Sequence, residues 1–143
     1  MPDYSYIKDI GSNLVDLLES TGLFDDVRLG VPEKTPQFKR AVATVYMTEG
    51  SFENTMGSYN IPVEAKSVVF AVYRGTKPES YDRAMDDLTT IIGKFNSDKD
   101  WYTVKGATRM TSIESYQYIP RAVGQAFYTT IIYTLKHDVR QPY

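Results

Sequence analysis

The sequence has no cysteine and a single histidine, and these two shortages remove most thiol and metal chemistry from consideration. Without thiols there is no disulfide and no thiolate centre, and one imidazole falls short of the usual zinc ligand sets. No apolar run approaches the roughly 18 residues needed to span a bilayer, so no membrane role is expected. The opening Met-Pro-Asp-Tyr carries neither the basic start nor the continuous apolar segment of a secretory signal. The patterns G-x-x-x-x-G-K-S/T, G-x-G-x-x-G and G-x-S-x-G are missing, so neither a phosphate cradle nor a nucleophile elbow is expected. Positive charge is not in surplus either. The formal net charge is −2, which argues against strong general binding to nucleic acid.

What is present belongs to an ordinary globular domain. The 143 residues, 42% hydrophobic and 24% charged, fit one domain (1–143) large enough to bury a core. The chain is organised around 61–95, a strand running directly into a helix. Ile61, Val63 and Ala65 alternate with Pro62, Glu64 and Lys66, and the alternation then gives way to Val68, Val69, Phe70, Ala71, Val72 and Tyr73. A strand apolar on both sides is covered on both sides. Thr76 and Glu79 have the spacing of a capping box with Pro78 in the first turn, and Tyr81, Met85, Leu88, Ile92 and Phe95 make the apolar stripe of the helix.

An earlier helix is expected from an N-cap at Asp3 to about Thr21, with Gly22 as its stop and Ile7, Ile10, Leu14, Leu17 and Leu18 buried. A short strand around Val27 to Leu29 and a proline-containing connector from Gly30 to Lys39 follow. Ala41 to Met47 reads as a strand, and Thr48 to Asn60 as a long loop that carries Phe52, Met56 and Tyr59. Asn96 to Asp100 reads as a polar turn, with Trp101 packing back on the helix end. Arg109 to Tyr118 and Gln125 to Lys136 read as closing strands separated by a turn at Ile119 to Gly124. The order α-(β)-β-β-α-β-β defines an α+β fold, a mainly antiparallel sheet of four to five strands with two helices on one face. Two helices cover only one face, while at least three strands carry apolar residues on the other. Such a surface marks association, here with further copies of the chain.

No enzyme and no cofactor are expected. His137 beside Asp138 has the makings of a general base, but it reads more simply as a surface histidine in a charged tail. Asp86–Asp87 reads as a solvated helix flank, because adjacent helical residues point apart. Lys34, Lys39 and Arg40, with Phe38 among them, form the one basic cluster able to lie near DNA, against the simpler reading of a solvated connector. Charge is unevenly spread, with six acids and three bases from Glu79 to Asp100 and five bases and two acids from Trp101 onward.

The helix at Tyr4 to Ser20, the strand Ala41 to Thr48, the return through Val63 to Val72 and the close at Phe127 to Leu135 together resemble the tail terminator (minor tail protein U-like) family of long-tailed bacteriophages. The resemblance covers most of the chain and rests on topology more than on residues. It implies a structural virion protein that forms a ring, six copies as a rule. The ring caps the tail tube, ends its polymerisation and offers the docking surface for the head. The implied partners are its own copies, the tail tube protein, a head completion or neck protein, DNA passing through the lumen, and a sheath where the tail contracts. The implied location is the head-proximal end of the virion tail, after assembly in the host cytoplasm. Phe52, Met56, Tyr59, Ile61, Tyr128 and Ile132 are the expected oligomer or tube contacts. The alternatives are a head–tail connector of the same virion, a small non-viral binding module, and an enzyme using His137.

Overall fold

A computed structural model describes residues 6–30, 38–54, 60–123 and 126–139. Five strands form one mixed sheet in the order β1-β2-β3-β5-β4: β1 (Asp26–Leu29), β2 (Ala41–Asn54), β3 (Asn60–Arg74), β4 (Met110–Val123) and β5 (Ala126–Asp138). Only β1 runs parallel to its neighbour, and the remaining pairs are antiparallel. The described residues also form three helices: α1 (Tyr6–Ser20), α2 (Lys77–Ser97) and the single turn α3 (Lys99–Tyr102). The fold is thus the expected α+β class, with a parallel edge strand added to the antiparallel core.

The helices share one face of the sheet. Ile10, Leu14, Leu17 and Leu18 of α1 and Ala84, Leu88, Ile91 and Phe95 of α2 join one core with Ala43, Val45, Val69, Ala71, Tyr73, Ile131, Tyr133 and Leu135. Those strand residues are register partners or alternate positions, so their side chains leave the same side of the sheet. Gly22 ends α1 at φ 70°, a conformation natural to glycine. At the start of α2, the Thr76 hydroxyl accepts from the Glu79 N–H at 3.4 Å. Trp101 packs edge-on against Phe95 with ring centroids 5.2 Å apart, closing the C-terminal end of the helix as expected.

Three expectations need correction. The proposed loop Thr48 to Asn60 is largely ladder, since Glu49 to Asn54 pair with Lys66 to Asn60 and residues 55–59, outside the described set, are all that connects the strands. Cross-strand pairing overrides the polar composition, and bulges between Met47 and Glu49 and between Ser51 and Phe52 absorb the irregularity. The turn placed at Ile119 to Gly124 is strand through Val123. Pro120 is tolerated there because β4 lies at the sheet edge, where a missing N–H breaks no second ladder. Finally, the buried face of α2 is turned in part from its expected stripe. Leu88 and Phe95 are buried and Met85 and Ile92 pack half-buried against the core, but Tyr81 leaves it. The helix buries Ser80, Ala84, Asp87, Leu88, Ile91 and Phe95, while Tyr81 is 44% exposed. Small residues let the helix settle close to β5, where the Ser80 and Thr129 hydroxyls meet at 2.8 Å. Tyr81 moves to the flank and stacks edge-on against Tyr118.

Candidate assembly surface

The second face of the sheet is built by the other half of each strand's alternation. Its central rows are Val42, Thr44 and Tyr46 on β2, Val68, Phe70 and Val72 on β3, and Thr130, Ile132 and Thr134 on β5. None is charged and no described helix lies over them, yet Val42, Thr44, Val68 and Thr130 are buried and the other five are half-buried. The ends of this face differ. At one end Lys66 reaches Glu114 at 3.2 Å and Glu49 at 3.5 Å, and Lys136 reaches Glu64 at 3.6 Å. The hydrogen bond to Glu114 raises the proton affinity of the Lys66 ammonium. At the other end Arg74, Tyr128 and Arg121 stand in one row across β3, β5 and β4. Phe38 tilts against Tyr128 at 6.1 Å, and Arg74 Nη1 donates to the Phe38 carbonyl at 3.3 Å. Neither arginine has a carboxylate partner among the described residues.

Beyond the last β1 and β5 pairs, β2 and β3 continue as a two-stranded arm. Phe52 on this arm is 55% exposed. At the root of the arm Ile7, Met47, Phe52, Pro62, Ala65 and Val139 line an apolar cavity of about 270 Å³. Of the expected contacts, Phe52 therefore sits on a projecting strand, and Tyr128 and Ile132 sit half-buried on the second face. The backbone of Ile61 pairs with Glu53 in the arm, while Met56 and Tyr59 lie outside the described residues.

The basic cluster comes apart. Lys34 lies outside the described residues, and Lys39 is exposed. Arg40 is committed inward: Nη1 and Nη2 donate to the Asp87 carboxylate at 2.7 and 2.9 Å, and Nη1 also donates to the Leu23 carbonyl at 2.6 Å. It is a structural residue and not one free to lie near DNA. Asp87 is correspondingly buried, contrary to the solvated flank expected for Asp86–Asp87, because a bidentate guanidinium compensates its charge. Asp25 holds the strand beside this pair by accepting from the backbone N–H groups of Lys39, Arg40 and Ala41, and the Arg40 N–H does most to lower its pKa.

His137 is likewise fully buried and not a tail histidine. Thr108 donates to the Tyr102 carbonyl at 3.4 Å, so Thr111 donates to Thr108 at 2.9 Å. The 2.7 Å bond between Thr111 and His137 must then be donated by Nδ1–H, leaving Nε2 to accept from Ser67, also at 2.7 Å. Burial lowers this imidazole to about 4, which keeps it neutral. The chain ties α3, β4, β5 and β3 together, and Ser67 and His137 lack the access a substrate needs.

Fold and surface together define an α+β domain with helices on one side of a mixed sheet. The second side is uncharged in its central rows and carries no helix among the described residues. Comparison of the sequence with protein-family models and with curated proteins gives no match.

Proposed function

We propose that this chain is the subunit of a structural ring that caps the tail tube of a long-tailed bacteriophage and offers the head its docking surface. The observation that carries this reading is the second face of β2, β3 and β5, uncharged in its central rows, over which the described chain folds no helix. In the lone chain this face is buried at Val42, Thr44, Val68 and Thr130 but only half-buried at Tyr46, Phe70, Val72, Ile132 and Thr134, and successive copies can complete its cover. A head-to-tail contact repeated by a constant rotation closes into a ring. The topology that resembles the tail terminators supplies the context: the ring seats on the last turn of the tube, stops addition of tube subunits and leaves a lumen for DNA. Its work is shape complementarity, and no bond is made or broken.

Phe52 on the projecting arm is the contact toward a neighbour or the tube. Phe52→Ser should change stability by no more than about 0.5 kcal/mol, since the side chain is largely exposed. Added to polymerising tube protein, the wild-type chain should halt elongation and the variant should halt it poorly, as measured by tube length in electron micrographs. Tubes that grow equally long with and without the wild-type chain would contradict the proposal.

A further inference from the structure

We infer that the Arg74–Tyr128–Arg121 row of one copy docks on the Asp82–Asp86 flank of helix α2 in the next copy. This rests on the ring reading above and specifies its interface. The row lies on the helix-free sheet face, whereas α2 belongs to the opposite layer of the domain. The two surfaces are therefore different patches on opposite sides of one molecule, as a head-to-tail ring contact requires.

Charge and polarity both match. Asp82 and Asp86 are exposed, sit one turn apart on α2 and have no ion-pair partner among the described residues. Two carboxylates at that spacing repel each other along the helix, a cost that a cation from outside removes. Arg74 and Arg121 flank Tyr128 on adjacent strands, about 10 Å apart at the backbone, and guanidinium side chains are long enough to converge on neighbouring carboxylates. Beside the acids stand Tyr81, which is exposed, and Met85, which is half-buried at the edge of the core. In the row next to the arginines stand half-buried Val72 and exposed Ile119. Each patch thus offers an apolar stripe beside one sign of charge. The arginine row alone would also suit a polyanion such as duplex DNA, but only a second copy accounts for the acidic helix flank as well.

Reciprocal charge reversal tests this. Arg74→Glu with Arg121→Glu, and separately Asp82→Lys with Asp86→Lys, should each leave the melting transition cooperative and abolish the ring in mass photometry at moderate salt. Mixing the two variants should restore a ring of alternating copies, and a chain carrying all four changes should form rings alone. Rings that survive both reversals would overturn the inference while leaving the ring reading in place. So would an arginine variant that keeps its ring but loses binding to a duplex DNA probe. A wild-type chain that forms no ring, alone or on tube ends, would overturn both.

Discussion

Asp87 and His137 are both polar groups taken out of water and fully partnered. Asp87 is 3% exposed at its side chain and Arg40 34%, so the pair is anchored from the carboxylate side. Asp87→Ala leaves the guanidinium half-buried and unpaired, and should cost about 3 kcal/mol, read as a shift in the denaturation midpoint. His137 gives a pH signature. Its folded pKa, about 4, lies below the ordinary 6.5, so the unfolded chain takes up the proton first as the pH falls. Its contribution, about 3 kcal/mol, is whole above pH 6.5 and is lost between 6.5 and about 4. Because it is the only histidine, His137→Gln should remove the loss seen between pH 6.5 and 5, above the range where carboxylates titrate. An unchanged slope in thermal melts of that variant would contradict the assignment.

Among the elements, α2 and β5 separate what sequence could and could not reveal. The capping box at Thr76, the alternation of β3 and the packing of Trp101 on Phe95 are local chemistry, and the chain spells them out. The buried face of β5 was also legible, since Phe127, Ile131, Tyr133 and Leu135 share a phase that reaches His137 once the strand is extended to Asp138. The phase of α2 was not. The stripe at Tyr81, Met85 and Ile92 and that at Ser80, Ala84, Asp87 and Ile91 are both helical in period, and what chooses between them is a guanidinium 47 residues away in sequence. The arginine row was hidden by a bulge between Ile113 and Ser115, which shifts the phase of β4 before Arg121. Phe52 stood out as an apolar residue in a polar stretch, but two bulges in β2 keep simple alternation from telling which way the arm turns it.

At the scale of the whole molecule, one side is a finished core and the other is a sheet surface without charge in its central rows. Val42, Thr44, Val68 and Thr130 on the second face are buried in the monomer. It is therefore changes at exposed positions of that face, such as Arg74 and Arg121, that should spare folding and strike association. Reversing the arginine row at the end of that face should follow this pattern, with rings lost and melting retained. The most direct measurement is the mass and image of the particle that the purified chain forms, alone and at the ends of tail tubes. Six copies of 16.3 kDa predict a closed particle of about 98 kDa with a central hole. A chain that stays at 16.3 kDa under both conditions would contradict the account.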